Sequence, residues 1–247
     1  MEIISLIYNK GLYQPLFNSI VFFYNLIPGH DFGLAIILVT LLIRIILFPL
    51  SRQGIKSRKA LEEIQPKLKE IQKKYGDKKE QAAQMMNLYK EHKVSPVSGC
   101  LPLLIQLPII IALYRAFIQV ISPSSLALLY PFIKNPGSLN TSFLGMIDLA
   151  VPSAILAVIA GVSQFFQSKI MFKTSSSMIG GADRAAGIQK TMNRQMIYFM
   201  PLITIFIALK LPAGLPLYWA ASTLFGIGEY LLVNKKNEKR RANQKDN

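Results

Sequence analysis

The most costly side chain in the sequence is Arg44, a lone cation inside the apolar run Phe32–Leu50. At about 1.5 Å of helix rise per residue, its Cα would lie roughly 10 Å inside a hydrocarbon layer. A charge near the middle of a span costs roughly 2.5 to 3.5 kcal/mol on translocon scales, so such a residue usually faces a cavity or a partner. The alternative is an arginine whose long stem snorkels to the headgroups. Other polar residues fall at similar depth. Thr40 is one turn before Arg44, Gln106 lies seven residues into the run Gly99–Ile121, and Gln164 and Gln167 are three apart and so share one helix face. Each glutamine alone fits an interhelical hydrogen bond equally well. As a set they predict a hydrophilic groove open on one side of a membrane and closed on the other. Trp219 joins this set, although it and Tyr218 also stand where aromatic rings anchor a span at the interface.

Covalent chemistry finds no matching pattern. His30 and His92 sit in loops on opposite sides of the expected membrane, no carboxylates are paired within a span, and neither an HExxH nor a Ser/Lys spacing occurs. A glycine-rich phosphate loop is missing as well. The expectation is therefore a protein that is not an enzyme, uses no cofactor or metal, and does not hydrolyse ATP.

The elements that must hold Arg44 follow from the distribution of apolar residues and charge. The chain has 247 residues, 51% of them hydrophobic, and 28 Lys+Arg against 13 Asp+Glu. The apolar residues gather into blocks and the charges lie between them, which is the pattern of a polytopic membrane protein. The expected fold is all-α, with five transmembrane helices around the cytoplasm-open groove.

Residues 1–30 form an N-terminal interfacial amphipathic segment. Its apolar part, residues 15–27, covers only about 20 Å as a helix, is interrupted by Asn18 and Asn25, and stops at Pro28-Gly29. Met1–Tyr8 shows no basic leader and no small-residue cleavage pattern, so the chain is expected to keep its N-terminus. Residues 31–50 are the first span. Residues 51–95 form a basic helical hairpin with apolar positions Ile55, Leu61, Ile64, Leu68 and Ile71, an interruption at Pro66 and a break at Gly76-Asp77. Residues 96–233 hold four further spans, Gly99–Ile121, Val151–Phe172, Met196–Leu211 and Leu215–Val233. Ser122–Leu149 reads as a loop, and residues 234–247 as a disordered basic tail.

Within the spans, Arg115 is expected to reach the headgroups, Glu229 to sit at the interface, and Cys100 to be a small packing residue. The fourth span is short, about 21 to 24 Å against a hydrocarbon core of about 30 Å, and should thin the bilayer beside it. Lys10, Lys134 and Lys210 face 23 of the 28 basic residues, which lie in the hairpin, the middle loop and the tail. That imbalance places those three segments in the cytoplasm and the N-terminus outside.

The block from Gly99 through Leu101-Pro102, Gln106-Leu107-Pro108 and Ala112-Leu113-Tyr114 resembles the second core span of the YidC insertases, which are related to the mitochondrial Oxa and chloroplast Albino proteins. Further similarity lies in Arg44 with Phe48-Pro49-Leu50, in Gln65-Pro66-Lys67, in Lys73-Lys74-Tyr75-Gly76, and in Pro212–Trp219. It covers roughly residues 15–240. The front of the chain departs from that family's longer form, in having no large periplasmic domain and no additional first span. The resemblance implies a bacterial inner-membrane insertase and chaperone that works without ATP, alone or with the Sec translocon. Arg44 would be its functional charge, and Arg44, Thr40, Gln106, Gln164, Gln167 and Trp219 the client-binding groove. The implied partners are client membrane proteins, anionic lipid and, through the basic segments, the ribosome, but not DNA. A passive assembly scaffold, or a channel or secondary transporter, are the competing readings. The last would require polar residues through the full depth of the bundle, which the outer halves of these spans lack.

Overall fold

The computed structural model describes the backbone of residues 6–95, 101–120, 127–176 and 195–245. Cys100 and most of the middle basic loop, residues 177–194, lie outside the described residues. The chain is mostly helical. A π-helical turn, Asn9–Tyr13, leads into α1, Gln14–Leu26. Then come α2, Phe32–Lys74, and α3, Lys78–Glu91, followed by α4, Leu101–Val120. A two-stranded antiparallel hairpin pairs β1, Ser142–Phe143, with β2, Ile147–Asp148. The remaining helices are α5, Ala154–Ser176; α6, Met200–Ala208, preceded by a π-helical turn over Gln195–Phe199; and α7, Gly214–Lys245. Among the described residues, Phe32–Leu61 and Ala154–Met171 are long and apolar enough to cross a membrane, and Gln106–Gln119 and Gln195–Ala208 are shorter apolar helices.

Three expectations are corrected. The interruption expected at Pro66 does not occur, because the helix that begins in the first apolar run continues through both Pro49 and Pro66. A proline removes one hydrogen bond and bends a helix, but Leu, Glu, Lys and Gln around Pro66 are good helix formers that carry it across. The residues after Val233 prolong α7 to Lys245 instead of being disordered. The loop after α4 contains the β1–β2 hairpin.

The chain divides into two compact units. The first comprises Met1–Ile46, Ile105–Gln164 and Pro201–Phe225. Its core is built from large side chains such as Phe17, Phe32, Ile36 and Leu113, together with small ones, Ala112, Ala116, Ala157 and Ala160, that let helices approach closely. At Gly161 an added Cβ would stand 2.3 Å from Ile205. The outward side chains of the same helices are large and apolar: Leu107, Ile111 and Ile118 on α4, and Ile155, Val158 and Val162 on α5. Small inside and greasy outside is the arrangement a lipid solvent favours.

The face of α1 that carries Leu16, Phe17, Ile20, Val21 and Tyr24 is buried. Its two asparagines are clamps. Asn18 donates to the Leu128 carbonyl at 3.0 Å and accepts from the Tyr130 N–H at 2.7 Å, while Asn25 donates to the Lys134 carbonyl at 2.6 Å. Asp31 caps α2 by accepting from the Leu34 N–H at 2.8 Å, and its other oxygen takes the Leu144 N–H at the hairpin tip. Phe143 packs directly on Gly33, where any Cβ would overlap it.

The second unit comprises Leu47–Leu104, Phe165–Met200 and Gly226–Asn247. Ile55, Tyr230 and Val233 form a small core there, with Ile170 and Met171 against it. Asp77 caps α3 by accepting from the Glu80 N–H at 3.2 Å, and Gln81 donates to the Gln72 carbonyl at 3.0 Å across the bend. Burial raises the Tyr89 phenol above its ordinary value.

Candidate functional site

Arg44 is half-buried on α2 within the first unit. Its Nε and one Nη donate to Ser222 Oγ on α7, at 3.0 and 2.8 Å. One turn earlier on α7, Tyr218 is almost wholly buried, and its hydroxyl accepts from Gln106 Nε2 of α4 at 2.6 Å. Tyr218 and Ser222 are four residues apart, so their hydroxyls share one face of α7. Three helices are thus tied by one polar string through Gln106, Tyr218, Ser222 and Arg44. Buried polar groups in an apolar setting are costly unless paired, and here each meets a partner.

Two of the expected groove residues, Arg44 and Gln106, therefore attach to successive turns on one face of α7. The others do not join them by hydrogen bonds. Thr40 is completely buried and donates to the Ile36 carbonyl of its own helix at 2.7 Å, so its hydroxyl serves α2 rather than a groove. Gln164 is half-buried in the first unit, with its Oε1 buried and without a hydrogen-bond partner among the described residues. Gln167, three residues later on α5, belongs to the second unit. Trp219 is half-buried beside Tyr218.

Ser222 was not anticipated, and Tyr218 was read only as an anchoring ring. The available signal was their spacing of four, which places two hydroxyls on one face of an otherwise apolar helix.

Two further charges have partners within the protein. Arg115 is held by three side chains of the N-terminal segment. It donates to Asn9 Oδ1 at 3.0 Å and lies against the rings of Tyr8 and Tyr13, at 5.6 and 4.9 Å from their centroids. Tyr13 in turn donates to Gln119. A guanidinium is weakly hydrated and planar, so aromatic faces can replace much of its water. Burial raises the Tyr13 phenol above its ordinary value, with Arg115 opposing the shift. In the second unit, Glu229 is buried and accepts from Ser51 Oγ at 2.8 Å.

A family profile described as "60Kd inner membrane protein" matches residues 22–240. A membrane protein insertase YidC from Oceanobacillus iheyensis is 37% identical over 84% of this chain and 76% of its own length. One from Clostridium tetani is 37% identical over 88% of each chain. One from Wolinella succinogenes is 36% identical over 93% of this chain but only 38% of its own, longer sequence. The crystal structure of an active YidC insertase with its first transmembrane domain resolved superposes with a TM-score of 0.56 at 29% identity, covering 87% of this chain and 45% of that one. With the family profile reaching from α1 into the basic end of α7, and insertases of similar length matching across most of the chain, this protein belongs to the 60Kd inner membrane protein family, that of the YidC membrane protein insertases.

Proposed function

We propose that the chain inserts client proteins into the lipid bilayer and helps them fold without ATP, by electrostatic capture at Arg44 followed by hydrophobic release. The observation that carries this reading is the guanidinium held by Ser222 on the polar string of the first unit. A cation kept among apolar helices attracts an acidic or polar client tail more strongly than the same cation in bulk water. Once the tail has crossed, burial of the client's apolar segment in lipid supplies the driving force. No covalent step is required.

The reading comprises five spans around a cytoplasm-open groove, with α1 at the outer interface, the residue 51–95 hairpin and the basic end of α7 in the cytoplasm, and the N-terminus outside. The groove would be lined by Arg44, Gln106, Gln164, Gln167 and Trp219, with Thr40 as a structural neighbour. Gln195–Ala208 reaches no more than about 21 Å, and a span this short favours a locally thinned bilayer that lowers the barrier for a tail. The chain would act alone or beside the Sec translocon. Its basic segments would contact anionic lipid or ribosomal RNA through charge.

The test is reconstitution of the purified chain in liposomes with a single-span client carrying a short tail, without nucleotide or any other protein, scored by protease protection. Protection of the tail above that in empty liposomes is expected. A passive scaffold would bind the client and leave the tail cleavable, and that result would refute the proposal.

A further inference from the structure

We infer that Ser222 is the positioning residue for Arg44: its hydroxyl sets the plane and depth of the guanidinium, and so decides how well the charge meets a client tail. The inference rests on the capture reading above and adds a residue to it.

Ser222 is only 3% exposed, so its Oγ cannot compensate with water for a missing partner. Two N–H groups from one edge of the Arg44 guanidinium converge on that single oxygen, at 3.0 and 2.8 Å. One hydrogen bond leaves a guanidinium free to swing about the contact, whereas two from the same edge define its plane. With both lone pairs of Oγ occupied, the Ser222 proton is available only as a donor. The Tyr218 hydroxyl, one turn earlier on the same helix face, itself accepts from Gln106. Ser222 and Tyr218 thus each hold a donor from a neighbouring helix, Arg44 of α2 and Gln106 of α4, which fixes this face of α7 where the arginine meets it. The long stem of an arginine can carry its charge toward the headgroups. Ser222 opposes that excursion.

The experiment uses the full chain in liposomes and two clients that differ only in tail charge, acidic or neutral. Ser222→Ala removes both hydrogen bonds from the guanidinium and should slow insertion of the acidic-tailed client at least about tenfold, while sparing the neutral one. Ser222→Thr, which keeps the hydroxyl, should restore the rate. Adding Ser222→Ala to Arg44→Ala should change nothing further. As an independent readout, the 15N resonance of the Arg44 Nε–H should exchange faster with water in Ser222→Ala than in the parent.

Equal slowing of both clients by Ser222→Ala, or further slowing in the Arg44→Ala background, would reduce Ser222 to a packing residue and overturn the inference. If Arg44→Ala impairs the acidic client and Ser222→Ala does not, positioning falls while capture stands. If Arg44→Ala impairs neither, both fall.

Discussion

Replacing Arg44 by alanine separates mechanism from stability, because the opposing energies are of similar size. Removing an intramembrane cation relieves roughly 2.5 to 3.5 kcal/mol on translocon scales. Against this, the buried Ser222 hydroxyl loses its two charged donors, at 2.8 and 3.0 Å, which costs about 1.5 to 3 kcal/mol. The net change lies between a loss of about 0.5 kcal/mol and a gain of about 2 kcal/mol, so Arg44→Ala should unfold in detergent at or slightly above the parent temperature. Capture changes far more. A carboxylate about 4 Å from the guanidinium gains about 1 kcal/mol in bulk water and about 4 kcal/mol at an effective dielectric constant near 20. The difference of about 3 kcal/mol sets a ceiling of about a hundredfold on the preference for an acidic tail over a neutral one. Arg44→Ala should therefore lose between about tenfold and a hundredfold in insertion of an acidic-tailed client and leave the neutral-tailed client unchanged. Arg44→Lys keeps the charge without the two-pronged grip on Ser222 and should fall between. The assay is the initial rate of protease protection in proteoliposomes at matched protein amounts, with the unfolding temperature of each variant measured in parallel. Equal rates for Arg44→Ala and the parent on the acidic client would refute the capture mechanism. A large drop in unfolding temperature would show that balance to be wrong.

Gly33→Ala should lower the unfolding temperature by roughly 5 to 10 °C, since the new Cβ meets Phe143 Cβ at 2.8 Å as well as its ring; rotating the ring cannot relieve this, and the hairpin must withdraw from Asp31. An unchanged melting curve would show that the hairpin shifts freely. Arg115→Ala removes the group that joins Asn9, Tyr8 and Tyr13 to α4, and should speed proteolysis of the N-terminal segment severalfold without altering cleavage in the residue 51–95 hairpin. Asp148 is held below its ordinary carboxyl value of 3.8 by the Thr141 hydroxyl and then by the Ala150 N–H. Its stabilising effect is complete above that ordinary value and is lost as pH falls through the lowered one, so Ala150 amide exchange, corrected for its intrinsic pH dependence, should rise only in acid. In Asp148→Asn the same exchange should be raised already at neutral pH, and identical exchange in the two proteins would count against this. Deleting residues 234–247, with their six Lys and Arg, should weaken binding to ribosomes or anionic vesicles at low salt; binding unchanged by the deletion would reduce the segment to a determinant of topology.

The membrane class, the helical character, the order of the apolar helices and the prominence of Arg44 are all legible in the residues alone. Each of these depends on local sums: how many apolar residues stand in a row, where Lys and Arg collect, where Gly76-Asp77 or Pro28-Gly29 interrupts a pattern. What each polar side chain does depends on packing between helices far apart in the chain. Ser222, the partner of Arg44, lies 178 residues away in the chain, and Tyr218, the partner of Gln106, lies 112 away. Thr40 has the right depth for a groove, yet its hydroxyl is taken by the carbonyl four residues before it. The partners of Arg115 and Glu229, the rings of Tyr8 and Tyr13 and the hydroxyl of Ser51, likewise come from distant parts of the chain. The persistence of α2 through Pro49 and Pro66 was likewise hidden, because a proline's local penalty says nothing of what the flanking turns can carry. Depth in the membrane can be read from hydropathy because it is a property of a segment, whereas a hydrogen-bond partner belongs to the fold, and packing between distant helices chooses it.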